Sequence, residues 1–231
     1  MCGRFTIGEI KELVPRFSIS NQIPDMPRPR FNIAPTQDVP IVISRSPHQL
    51  VMMRWGLIPF WAKDPKIGSR MINARSETVA ERPAFRASLK EHRCLVPTTG
   101  FYEWKPTGKG KVPFFIRRTD EKLFAMAGLY DHWKDPAGEE VLSFTILTTA
   151  ANDLMAPIHD RMPVVLSRED EEKWVRSSPL EDGELERMAR PCPSSQMEAY
   201  PVSRAVNDLT KDSEELIRPA ERVGGRTEAW F

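Results

Sequence analysis

From Cys94 to Thr148 the chain runs through short apolar segments, Cys94–Val96, Phe101–Trp104, Pro113–Arg117, Leu123–Leu129 and Val141–Thr148, separated by turns such as Pro106-Thr107-Gly108-Lys109-Gly110 and Asp135-Pro136-Ala137-Gly138. Runs this short, bounded by Pro and Gly, read as strands. Further strands are expected at Ile41–Ser44 and Leu50–Trp55, a hairpin about Ser46-Pro47-His48-Gln49, and at Pro163–Leu166 and Glu198–Val202. Helical spacing predicts short helices over Gly8–Phe17, Pro83–Glu91, Ala151–Ala156, Arg168–Arg176 with Ser167 as N-cap, and Gly183–Ala189. Helices and strands do not alternate regularly. The expected architecture is therefore one α+β domain, with a largely antiparallel, barrel-like β core and short helices around it. That domain spans residues 1–210, followed by a polar C-terminal tail, 211–231. Residues 22–40 contain Pro24, Pro27, Pro29, Pro35 and Pro40 and are expected to form a stiff, irregular loop.

No segment approaches the roughly 18 consecutive apolar residues of a membrane span, and no secretory signal is visible at the N-terminus. A cytoplasmic protein without membrane contact is expected. Cys2, Cys94 and Cys192 are too few and too scattered for a disulfide framework or a zinc site, so neither cofactor nor metal is implied.

The net charge of +1 conceals an asymmetry. Residues 1–118 hold 20 Lys and Arg against 9 Asp and Glu, whereas residues 119–231 hold 13 against 23. Either the first half forms a basic face suited to a polyanion, or the halves interleave and neutralise one another.

Cys2 is the most informative residue. Once Met1 is removed, it places an α-amine and a thiol, with reference pKa values of about 8 and 8.5, on one carbon. This pair captures an aldehyde: the amine forms an imine, and the thiol closes on it as a thiazolidine. Because only about a tenth of such an amine is neutral at pH 7, a carboxylate able to move a proton would help. Three other segments supply candidate partners. Asn73-Ala74-Arg75-Ser76-Glu77 puts an amide and a guanidinium on one side of an extended segment. Gly100-Phe101-Tyr102-Glu103-Trp104 sets a carboxylate among aromatics, a desolvating environment. His159-Asp160-Arg161-Met162-Pro163 again spaces a titratable group and a guanidinium two apart. Singly, each also reads as an N-cap asparagine, a strand glutamate or a surface histidine.

Taken together and in order, MCGRF, WGLIPFW, NARSET, RCLVPTTGFYEW and HDRMP resemble the SOS response-associated peptidase family of abasic site processing proteins, over Met1 to about Val202. The resemblance implies a protein that binds single-stranded DNA with an abasic site and crosslinks its terminal cysteine to the sugar aldehyde in a single turnover. On it, Cys2 is the nucleophile, Asn73 orients, Glu103 handles protons and His159 assists sugar opening. Arg4, Arg75 and Arg161 are candidates for flanking phosphates, and Trp61 and Trp104 for base stacking. The family's name adds self-removal of Met1. A monomer, cytoplasmic and at the nucleoid when bound to damaged DNA, is expected. Two other readings remain: a cysteine hydrolase with an N-terminal nucleophile acting on a small amide, and a non-catalytic DNA-binding module.

Overall fold

A computed structural model describes residues 2–21, 28–44, 48–120, 122–176 and 178–220. Met1, Pro24, Pro27, the Ser46-Pro47 part of the expected turn and residues 221–231 lie outside the described residues. The strands in chain order are β1 (Phe5–Ile7), β2 (Arg30–Ile33), β3 (Asp38–Ile43), β4 (Gln49–Trp55), β5 (Asn73–Arg75), β6 (Arg93–Thr98), β7 (Gly100–Thr107), β8 (Gly110–Arg118), β9 (Phe124–Lys134), β10 (Glu140–Ala150), β11 (Arg161–Pro163) and β12 (Met197–Pro201). The α-helices are short: α1 (Leu13–Arg16), α2 (Arg86–Glu91), α3 (Arg168–Val175) and α4 (Glu184–Met188).

One sheet closes on itself. β10 pairs with β4, β4 with β3, β3 with β6, β6 with β9, and β9 again with β10, giving a five-stranded barrel in which only the β10–β4 step is parallel. β10 outruns the barrel: its far half lies between β5 on one edge and β11 on the other. The second sheet is antiparallel, in the order β12-β8-β7-β1-β2. Phe5 of this sheet meets Trp55 of the barrel edge to face at 5.0 Å, and Trp55 stacks on Phe144 at 6.3 Å. The expected α+β, mostly antiparallel architecture with a barrel-like core is therefore observed.

The other face of the second sheet is covered by the chain after β12. Tyr102, Phe115, Val202, Val206 and Leu216 form a separate buried cluster there. Residues 211–220 take part: Asp212 pairs with Arg30 at 2.6 Å, and Leu216 is buried. The part of the polar tail that is described is thus docked.

Three local expectations are corrected. The proline-rich stretch contains β2, because Phe31 N–H is bound by Asp212 and Asn32 by the carbonyls of Val206, Asp208 and Lys211, contacts distant in sequence. Residues 153–158 form turns rather than a helix. There Asn152 accepts Met155 N–H with its own Oδ1 at 2.9 Å, and Pro157 follows. The Gly8–Phe17 helix is shorter than expected, a 3₁₀ turn over Ile10–Glu12 leading into α1. By contrast, Ser167 does cap α3, accepting Asp170 N–H at 3.2 Å.

The two charge halves interleave. Arg16 forms a two-pronged pair with Glu171, and Arg30 and Arg117 pair with Asp212 and Glu198. The excess of cations in the first half is accordingly spent in part on internal pairs.

Arg93 shows how the short helices are held. This buried side chain donates to the Trp174, Leu89, Lys90 and Ser178 carbonyls at 2.6, 2.8, 3.2 and 2.6 Å, and also to Arg176 C=O. Those carbonyls lie at and just beyond the C-terminal ends of α2 and α3, where no intrahelical donor reaches them. Arg93→Met would leave the buried ones, those of Leu89 and Trp174, without a donor. We expect it to cost about 3 kcal/mol or more, given roughly 1–3 kcal/mol for each buried group left unsatisfied, and to lower the urea midpoint accordingly. A midpoint change worth under about 1 kcal/mol would mean that water takes over these carbonyls.

Candidate active site and nucleic-acid interface

The ladder between β1 and β7 pairs Phe5 with Phe101 and extends back to the bond from Tyr102 N–H to Arg4 C=O at 2.9 Å. This brings residues 2–4 alongside residues 102–104. Cys2 is fully buried, with its Sγ 3.8 Å from Arg4 C=O. Glu103 is also buried. Desolvation, reinforced by the Glu103 charge, pushes the Cys2 thiol well above its ordinary range. The sulfur therefore rests as a thiol and needs a base when it attacks.

Asn73, on β5, donates from Nδ2 to Cys2 C=O at 2.9 Å. Its Oδ1 is buried and has no hydrogen-bond partner among the described residues. An amide with one end fixed on Cys2 and an acceptor left over is placed to receive a hydroxyl or an N–H group. Its position follows from the pairing of Asn73–Arg75 with Ile146–Thr148, the part of β10 beyond the barrel.

The other edge of that part carries Arg161, which pairs with Ala150. The Arg161 guanidinium grips Glu77 with two bonds, 2.6 and 2.9 Å, and donates to Thr148 C=O at 2.6 Å. Its hydrogen bonds hold the Glu77 carboxyl below the usual carboxylate range. The NARSE segment is thus tied to the HDRMP segment across β10. His159 stands just ahead of β11, with its Nδ1 3.0 Å from Arg161 N and 2.9 Å from Asp160 Oδ1.

The remaining predicted contacts divide by exposure. Arg75 is exposed. Arg4 is engaged inward, donating to Asn32 Oδ1 at 2.6 Å and Val206 C=O at 2.7 Å, and lies 5.7 Å from the Trp104 ring. Trp104 is half-buried and donates to Asn207 Oδ1 at 2.8 Å. Trp61 is 49% exposed and its neighbour Phe60 is 61% exposed. Their loop is closed by Gly56, at φ 124°, where an added Cβ would stand 2.6 Å from Gly68 C=O.

Sequence reasoning missed Asn32, which braces Arg4, and Glu77 and Thr148, which hold Arg161. Only a tertiary contact reveals the first. The other two were within reach, since Glu77 belongs to the NARSET segment and Thr148 ends an expected strand. Among the described residues no three His, Cys, Asp or Glu side chains converge as a metal site, and no helix is long and apolar enough to cross a membrane.

A family model described as SOS response associated peptidase (SRAP) matches residues 1–209. The abasic site processing protein YoqW of Bacillus subtilis is 44% identical over 221 residues, covering 94% of this chain and 99% of that protein. The abasic site processing protein YedK of Escherichia coli is 35% identical, covering 95% and 100%. The abasic site processing protein HMCES of Gallus gallus is 34% identical, covering 84% and 67%. A solved structure of a protein from Bacteroides thetaiotaomicron superposes with a TM-score of 0.86 at 30% identity, covering 95% of this chain and 100% of that one.

Proposed function

Because this chain belongs to the SOS response associated peptidase family, we propose that it processes abasic sites in single-stranded DNA, joining the lesion covalently to Cys2 as a thiazolidine. The observation that carries this reading is the setting of Cys2: its carbonyl is held by Asn73, and its buried thiol lies in the field of Glu103.

The chemistry balances with these residues alone. The abasic sugar opens to its aldehyde as the C1′–O4′ bond breaks: His159 supplies a proton to the ring oxygen, and the proton released by the 1′-hydroxyl replaces it on His159. The α-amine of Cys2 adds to the aldehyde carbon, and the carbinolamine loses one water to become an imine. The sulfur then bonds to the imine carbon while its proton passes, through Glu103, to the nitrogen. One water leaves in all, and no electron acceptor is needed. An imine left open would acidify the neighbouring hydrogen and lead to β-elimination and strand cleavage; ring closure removes that route.

The same groups can expose the amine. The thiol of Cys2 attacks Met1 C=O, the Met1–Cys2 C–N bond breaks with proton transfer through Glu103 to the departing amine, and water hydrolyses the resulting thioester. Arg75 contacts a flanking phosphate, and Trp61 and Trp104 stack on bases. Arg4 and Arg161 contribute positive potential at the site while bracing Trp104 and the NARSE segment. The processing domain spans residues 1–210 and acts as a monomer in the cytoplasm, at the nucleoid when engaged with damaged DNA.

Intact mass spectrometry tests this. The purified protein should lack Met1 and, after incubation with a single-stranded oligonucleotide carrying one abasic site, gain the oligonucleotide mass less one water. An undamaged oligonucleotide should give no adduct. Protein lacking Met1 that forms no adduct with the lesion would sink the proposal.

A further inference from the structure

The loop that displays Phe60 and Trp61 is fastened at alternate residues by one face of the β9–β10 hairpin. Ser143 Oγ accepts Ile58 N–H at 2.8 Å, Asp131 Oδ2 accepts Phe60 N–H at 2.9 Å, and Trp133 Nε1 donates to Ala62 C=O at 2.7 Å. Ser143 and Asp131 are direct cross-strand partners, and Asp131 and Trp133 are two apart on one strand, so all three project to the same side. Each is buried.

Asp131 is the central clamp. Its second oxygen accepts His132 N–H at 2.8 Å, which fixes the carboxylate plane. Burying a carboxylate is costly unless its oxygens are bonded, and here one of the two is committed to the backbone of a surface loop. That loop leaves about half of the Trp61 side chain and more than half of Phe60 facing water, apolar surface that internal packing does not use. A backbone ordered beforehand lowers the entropy lost when the rings are covered.

We propose that Asp131 is a positioning residue for DNA binding: by fixing the Phe60 amide, it holds Phe60 and Trp61 as a preformed platform for bases beside the lesion. This rests on Trp61 being a base contact, as proposed above. Asp131 itself touches no nucleotide.

Binding of an undamaged single-stranded oligonucleotide, followed by fluorescence anisotropy, isolates this step from the chemistry of Cys2. Trp61→Ala and Asp131→Ala should each weaken Kd about tenfold, within what one base–aromatic stack is worth. The double variant should lie within about twofold of either single one, because both changes remove the same platform. Asp131→Asn, whose amide oxygen can still accept the Phe60 N–H although its NH2 group cannot accept the His132 N–H, should bind more tightly than Asp131→Ala, a rescue not expected if the charge itself served the DNA. If Asp131→Ala does not fold, Ser143→Ala replaces it in the same cycle with Trp61→Ala, with the same non-additivity expected. Additive losses overturn the proposal. So does full affinity in folded Asp131→Ala protein alongside weakened Trp61→Ala, an outcome that leaves the stacking role of Trp61 intact. Unchanged affinity in Trp61→Ala overturns both.

Discussion

Cys2→Ala protein, freed of Met1, is expected to form no heat-stable adduct with abasic single-stranded DNA, yet to cleave it. The α-amine survives the substitution, so the imine still forms; what is lost is the sulfur that closes on it. Borohydride should trap that imine as a secondary amine, and without borohydride the β-elimination product should accumulate on a denaturing gel. The variant removes one buried sulfur and no hydrogen bond stronger than the 3.8 Å contact to Arg4 C=O, so Asn73 can keep its hold on the residue 2 carbonyl. A heat-stable adduct in Cys2→Ala protein without borohydride would show that the bond runs through another group, and the thiazolidine assignment would fall. An inert variant, neither trapped nor cleaving, would also count against it, since the amine would then not be the first nucleophile.

Glu103→Gln should show two effects of opposite sign. With Met1 removed beforehand by an aminopeptidase, crosslinking should slow about 10²- to 10⁴-fold, the usual worth of a positioned proton carrier. The thiol, however, should react faster with iodoacetamide, because the Glu103 charge adds to burial in holding the Cys2 thiol high. Burial is the larger of the two causes, so the gain in alkylation is modest, and its sign is the informative quantity. A misfolded site would also quicken alkylation, by exposing the buried Cys2, so the sign is read only on protein whose urea midpoint matches the parent's. Expressed in cells without added aminopeptidase, the same variant should retain Met1 if self-processing runs through Glu103. Full processing would instead hand that step to a cellular aminopeptidase and leave the crosslinking role untouched.

The parts of this molecule legible in its sequence are those decided locally. β7 and β8 meet at a Gly-containing turn and β9 and β10 at one with Pro136 and Gly138, and each strand from β6 to β10 emerged near its expected place. Ser167 announced its helix in the same way. β2 and β5 did not, since segments of three or four residues carry no periodicity and exist because Asp212 or β10 binds them. The site divides likewise. Cys2, Asn73, Glu103 and His159 are conspicuous as chemistry-bearing residues in short motifs. What each side chain is bonded to was invisible: Arg4 and Arg161, expected to reach outward for phosphates, spend hydrogen bonds on Asn32, Val206, Glu77 and Thr148. A guanidinium's partners depend on residues brought near by the fold, and no local pattern encodes them.

The placement of β1 between β2 and β7 bears on how such a protein is made. Arg4 is bonded to Val206, a residue 202 positions later, so the segment synthesised first is among the last to be seated. At translation rates of about 5–20 residues per second, the interval is on the order of 10–40 s. During it the leading cysteine, on the proposed self-processing, is still joined to Met1 and has no free amine, so a stray metabolite aldehyde meets no aminothiol. Competence thus arrives with the end of the polypeptide rather than its beginning. For the same reason an affinity handle belongs at the C-terminal side, since any extension ahead of Cys2 removes the amine on which the proposed chemistry turns.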